Sequence, residues 1–258
     1  MISLREAFRK YQYFVVAHRG ASSDAPENTL ASFNQAILSG AHFIEMDIQV
    51  TSDGVPIVFH DKGLSRTTNG IGFASKLTFR ELKKLDSGVW FDEKFSGETI
   101  PSLEEALEFL SGKVLLNIEL KNLGENAPVH IKNITGLLAK YQYLDKVVIS
   151  SFFYEQLKVL KKINPSIPIA PIRVPKDKTL PSILKRELDC DGFVCSVEEI
   201  NDEVANDAKA NNLFLGVYSV DNEEDLDFVL SFGVRAIVTN YPKKILSILK
   251  TKYKANVF

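Results

Sequence analysis

Apolar residues fall along the chain in two alternating periods. Short runs rich in β-branched and aromatic residues, at 14–18, 43–49, 55–60, 114–121, 146–150, 167–172, 192–195, 214–219 and 236–240, read as strands. Between most of them lie longer stretches with apolar residues at helical spacing, such as 29–39, 154–163, 198–211 and 223–232. Two helix starts carry capping boxes, Thr78 with Glu81 and Ser102 with Glu105. Strand alternating with helix predicts a parallel sheet. The run at 55–60 is the exception. It follows the run at 43–49 through Asp53-Gly54, a two-residue hairpin signal, and so turns back antiparallel. With those two residues as the turn, Asp47 is expected to face His60. Setting that strand aside leaves eight strands, each followed by a helix: an α/β fold of the (β/α)8 barrel type, with a small insertion after the hairpin that follows the second barrel strand.

Composition narrows the setting. The chain has 258 residues, 45% hydrophobic and 25% charged, which suits one or two domains with a sizeable core. We read 1–258 as a single barrel domain with an embedded insertion at about 61–101. Thirty-one basic residues against 33 acidic leave a net charge of -2, without the basic surplus of a nucleic-acid binder. No apolar run reaches the roughly 18 residues of a membrane helix. The first residues lack the apolar core of a secretory signal. Two cysteines, Cys190 and Cys195, fit ordinary thiols in a reducing compartment, which places the protein in the cytoplasm. Oligomeric state is not encoded in any of these patterns.

Candidate chemistry appears where charge interrupts apolar strands. In Phe43-Ile44-Glu45-Met46-Asp47-Ile48-Gln49, alternation puts Glu45 and Asp47 on one face and the aliphatic residues on the other. In Leu115-Leu116-Asn117-Ile118-Glu119-Leu120-Lys121 the same parity aligns Asn117, Glu119 and Lys121. Charges inside parallel strands are costly unless paired or metal-bound. Glu45, Asp47 and Glu119 therefore suit one hard divalent cation, Mg2+ or Ca2+, or else an internal salt bridge to Lys121. His18 ends the first strand, where barrel active sites lie. Arg19 follows it, and the two serve one site if the chain turns at Gly20. Two histidines, three carboxylates, an arginine and a lysine at one barrel mouth suit phosphate ester cleavage.

The stretches HRGASSDAPENTLASF, FIEMDIQVTSDGVPIVFHD, IPSLEEAL and NIELK, with weaker GVYSVDN and AIVTNYP, resemble the glycerophosphodiester phosphodiesterase family. The resemblance implies a TIM barrel that hydrolyses glycerophosphodiesters, as small-molecule substrates, to glycerol 3-phosphate and an alcohol. It implies His18 and His60 as the acid/base pair, Glu45, Asp47 and Glu119 as metal ligands, and Arg19 and Lys121 as phosphate contacts. Glu27, Asn28 and Thr29 match the family's E-N-T segment, expected to support the site or cap the next helix. Tyr218 stands where relatives often carry Trp and offers an aromatic wall, while Asn240 replaces an aspartate. His42 reads as structural and His130 as solvent-exposed. Two rival readings share the barrel: a lipid phosphodiesterase of the lysophospholipase D or sphingomyelinase D type, with Leu64, Phe73, Trp90, Phe91 and Phe95 as an apolar entrance or a subsidiary core, and a barrel that binds a phosphometabolite without hydrolysing it.

Overall fold

The computed structural model describes residues 2–255, so the outermost positions of the expected 1–258 unit, 1 and 256–258, lie outside the described residues. Helix α1 (Leu4–Lys10) opens with a capping box between Ser3 and Glu6, and strand β1 (Phe14–Ala17) follows. Next come α2 (Leu30–Ser39), the hairpin β2 (Phe43–Val50) and β3 (Pro56–Val58), then short α3 (Phe79–Leu82) and α4 (Leu103–Leu110). Strand and helix then alternate: β4 (Leu115–Leu120), α5 (Ala127–Lys140), β5 (Val147–Ser151), α6 (Tyr154–Ile163), β6 (Ile169–Pro171), α7 (Pro181–Leu188). The chain ends with β7 (Gly192–Ser196), α8 (Asp202–Ala210), β8 (Phe214–Tyr218), α9 (Glu223–Ser231), β9 (Ala236–Thr239) and α10 (Pro242–Thr251).

The strands line up as β6-β5-β4-β2-β1-β9-β8-β7, every pair parallel, with β3 antiparallel on β2. A parallel bridge between Ile172 and Val194 brings the two ends of that order together. The expected eight-stranded barrel is therefore present and nearly closed. Alternation does its work along each strand. Ile44, Met46 and Ile48 pack outward with the helices, in the main core, whereas Phe43 points into the barrel with Phe14, Val16, Leu115 and Val238. Helix α1 covers the lower end of that interior: the Phe8 ring stacks on Phe214 at 4.8 Å and meets Phe14 edge-on at 5.0 Å. Its capping box is a sequence signal of the same kind as those at Thr78 and Ser102, both of which form.

Two expectations need correction. The hairpin pairs Ile48 with Val58, Gln49 with Ile57 and Val50 with Pro56, and the Phe59 amide donates to the Asp47 carbonyl at 2.9 Å. Asp47 therefore opposes Phe59, and His60 sits one residue further on. The turn holds three residues rather than two: Thr51 closes onto Val55 around Ser52, Asp53 and Gly54, with Gly54 left-handed at φ 82. Helix α8 also starts later than the apolar pattern suggests, at Asp202, because the Asn201 side chain caps it by accepting from the Val204 amide.

The segment at 61–101 builds a small core of its own. Leu64, Ala74, Leu82 and Ile100 are buried with Ile57 and Phe59 beneath it. Phe91 meets Trp90 on one side and Phe95 on the other, both edge-on, whereas Phe73 is exposed and lines a cleft at the barrel mouth.

Candidate active site

The register of β2 and β4 assembles the acidic centre. Asp47 lies beside Glu119 and Glu45 beside Asn117, so two neighbouring strands bring their three carboxylates together. Oxygens of Glu45, Asp47 and Glu119 all lie within 4.8 Å of one another, and the three residues are 4%, 1% and 9% exposed. Such burial of three acids demands compensation. Lys121 supplies part of it, 2.7 Å from Asp47 Oδ1 and bonded to Glu119, as the salt-bridge alternative foresaw. Arg19 supplies more, with Nε 3.3 Å from Asp47 Oδ2. Glu45 accepts the Arg19 backbone amide at 2.7 Å through Oε2, but its Oε1 is buried without a hydrogen-bond partner among the described residues. An orphaned carboxylate oxygen within a three-acid cluster fits a hard divalent cation, which takes oxygen ligands.

A turn at the end of β1 brings Arg19 into this centre. Arg19 is itself left-handed at φ 56, and Gly20 follows at φ 84. A Cβ on Gly20 would lie 2.4 Å from Ser32 Oγ and 2.7 Å from the Ser32 carbonyl carbon, so only glycine fits. Asn28, also left-handed, clasps Asp47 from both sides: its Nδ2 donates to Asp47 Oδ2 at 2.7 Å, and its Oδ1 accepts the Asp47 amide at 3.3 Å. Thr29 caps α2. The E-N-T segment thus caps α2 and hydrogen-bonds the acidic centre. Glu27 receives Arg19 Nη1 at 2.8 Å and both terminal nitrogens of Arg66 at 2.8 Å.

His60 extends this network. Its Nδ1 lies 2.5 Å from Asp61 Oδ1, and Asp61 in turn accepts from Arg66 Nε at 2.5 Å. Arg66 and Asp61 are the partners that residue spacing missed. The available signal was an arginine in the polar stretch DKGLSRTTNG directly after the histidine. His18, part-buried, places Nδ1 2.9 Å from Asn240 Oδ1. Tyr218 ends β8 and faces Phe152 edge-on at 6.5 Å. Phe152 lines a cleft of about 1050 Å³ together with His60, Glu119, Lys121, Phe73 and Phe153. His130 on α5 lines it too and is half-buried, which corrects its expected exposure: helix packing turns it toward the cleft. His42 is structural, as expected. Its Nδ1 accepts the Val15 amide at 3.0 Å, and its ring packs on Tyr11. Both cysteines are buried free thiols, pushed up by burial to about 11 for Cys190 and about 12 for Cys195.

Electrostatics divides the three acids. Burial pushes Asp47 up, but Lys121 and Arg19 outweigh it and hold the carboxyl well below its usual range. Burial and the Asp47 charge raise Glu119 to about 7, while burial and both acidic neighbours push Glu45 well above the carboxylate range. In chelated protein the folded state therefore holds protons on Glu45 and Glu119 that the unfolded chain has released. That stability is present at low pH and lost as pH rises through the folded values. Burial lowers both histidines, giving an opposite slope confined to below about 6.5, their unfolded value. Thermal melts of chelated protein should therefore shift down as pH rises from about 6.5, where the histidine slope ends, through about 7, and millimolar Mg2+ or Ca2+ should flatten that slope. Equal slopes with and without cation would contradict the centre described.

A profile of the glycerophosphoryl diester phosphodiesterase family matches residues 18–244. A glycerophosphodiester phosphodiesterase of Caldanaerobacter subterraneus is 35% identical over 92% of this chain and 97% of its own length. One from Bacillus subtilis is 34% identical over 88% of this chain and 83% of its own. Among solved structures, an Oleispira antarctica phosphodiesterase in complex with the product sn-glycerol-3-phosphate superimposes with a TM-score of 0.89 at 32% identity, covering 95% of this chain and 99% of that one.

Proposed function

The chain belongs to the glycerophosphoryl diester phosphodiesterase family, and from that premise we propose that it hydrolyses glycerophosphodiesters to glycerol 3-phosphate and an alcohol. One observation carries the reading: a buried three-carboxylate cluster with an orphaned Glu45 oxygen, set beside two histidines at the mouth of the barrel. Glu45, Asp47 and Glu119 would hold the divalent cation, Mg2+ or Ca2+. When bound, it supplies Lewis-acid neutralisation of a phosphoryl oxygen.

The chain's own residues do the rest. Arg19 and Lys121, fixed by their carboxylate partners, present positive charge to the remaining phosphoryl oxygens. His18 and His60 exchange protons, one with the attacking hydroxyl and the other with the departing alcohol. Asn28 keeps the Asp47 carboxylate oriented, and Glu27 with Arg66 holds Arg19 in place. Tyr218 and Phe152 form an aromatic wall for the alcohol side. Residues 1–258 work as one domain in this reading, with 61–101 contributing a wall of the cleft. Two reduced thiols suit a cytoplasmic location. Among the described residues, no helix is long and apolar enough to cross a membrane.

The test is a headgroup panel with Mg2+, Ca2+ and Mn2+ supplied separately, reading glycerol 3-phosphate release. Turnover of glycerophosphocholine or glycerophosphoethanolamine is the expected result. The apolar rim of Phe73, Phe152 and Phe153 beside His60 supports a second reading, a lysolipid substrate. Cleavage restricted to lysolipids would favour it. Binding without turnover across the panel would overturn hydrolysis altogether.

A further inference from the structure

Two histidines can exchange protons in the right order only if each starts in the right tautomer. The surroundings of His18 set its tautomer through a one-way chain of hydrogen bonds. Asp221, in the loop between β8 and α9, accepts three of them: from the Asn240 backbone amide at 2.8 Å, from Thr239 Oγ1 at 3.0 Å and from Asn240 Nδ2 at 2.6 Å. A carboxylate with that many donors is an acceptor only. The nitrogen of the Asn240 amide must therefore face Asp221, and its oxygen must face the other way. That oxygen lies 2.9 Å from His18 Nδ1 and also receives Ser22 Oγ at 2.8 Å. An amide oxygen cannot donate, so Nδ1 must carry the ring proton. Nε2, across the ring, is left with its lone pair. The charged groups around His18, namely Arg19, Asp47 and Glu27, do not contact Nδ1 and do not alter this order.

Resting on the hydrolytic reading above, we infer that Asp221 is a positioning residue: acting through Asn240, it fixes His18 as the Nδ1-protonated tautomer and makes Nε2 the proton acceptor of the reaction. The attacking hydroxyl then gives its proton to Nε2 as its oxygen bonds to phosphorus. The phosphorus–oxygen bond to the alcohol breaks, and the departing oxygen takes its proton from His60.

The chain of donors makes an isosteric test possible. In Asp221→Asn, the oxygen facing the Asn240 backbone and Thr239 survives, while an NH2 replaces the oxygen facing the Asn240 side chain. That side chain must flip, aim its own NH2 at His18, and force the proton onto Nε2. The D221N variant should lose roughly ten- to hundredfold in kcat with little change in KM. The 15N NMR pattern of His18, assigned against His18→Gln, should switch from Nδ1–H to Nε2–H. The exchanged pair D221N/N240D places an acceptor toward His18 again. It should recover the Nδ1–H pattern and much of kcat, with the acidic limb of kcat/KM moved to higher pH by the new negative charge.

An Nε2–H pattern in the unaltered protein overturns the inference without any variant. So does a D221N variant that loses activity while His18 stays Nδ1–H, since Asp221 would then only brace its loop. Absence of turnover in the unaltered protein would strike at the hydrolytic reading instead, and the tautomer measurement would still judge Asp221.

Discussion

Replacing His60 with alanine is expected to lower glycerophosphodiester turnover by about 10²–10⁴-fold, the usual worth of a positioned acid or base. The loss should fall on kcat. Arg19 and Lys121, which we assign to the phosphate, take their positions from Glu27, Asp47 and Glu119 and not from His60, so KM should stay nearly constant. The fold should tolerate the change. His60 lies beyond β3, its ring about one-third exposed, and Asp61 keeps Arg66 as a partner when the imidazole is gone. A melting temperature close to that of the parent protein, alongside lost turnover, would locate the defect in proton transfer. Normal turnover would remove His60 from the mechanism.

Chelation is expected to abolish turnover, and Mg2+ or Ca2+ to restore it. Glu45→Gln should convert this dependence into a graded one. The amide keeps an oxygen for the Arg19 backbone N–H, so the turn after β1 stays anchored. It also removes a buried carboxyl that two acidic neighbours keep protonated when no cation is bound. The variant should need roughly 10–100-fold more cation for half-maximal activity. In chelator near neutral pH, it should melt at a higher temperature than the parent, because the parent must take up a proton at Glu45 on folding and the amide need not. Asp47→Asn should behave differently. Lys121 and Arg19 depend on that carboxylate, and removing one side of a buried pair costs about 3–5 kcal/mol. If E45Q and D47N lowered stability alike, the assignment of Glu45 as the unpaired acid would be wrong.

These contrasts show how differently the parts of the site were legible. Glu45, Asp47 and Glu119 could be read directly, because a charge at every second position of an apolar strand has a single explanation in a closed sheet: an inward polar cluster. The caps at Thr78 and Ser102 were equally plain, since a capping box spans four consecutive residues. The hairpin was legible in kind but not in register. One extra turn residue, with Gly54 rather than Asp53-Gly54 carrying the left-handed step, moves His60 past Asp47. His130 was misjudged because its exposure depends on how α5 packs beside the cleft, and its own neighbours in sequence carry no trace of that.

By itself, then, the sequence determined the alternation of strand and helix, the inward face of each strand and the residue types gathered at the barrel mouth. All of these follow from short-range periodicity and backbone sterics. Tertiary structure decided which groups meet. Asn240 reaches His18 across 222 residues because β9 closes the ring beside β1, and Arg66 reaches Glu27 because the insertion folds back over the E-N-T turn. The physical reason is directional. A hydrogen bond needs a donor aimed at an acceptor within about 3 Å, and spacing along a chain carries no information about that aim until the barrel has closed.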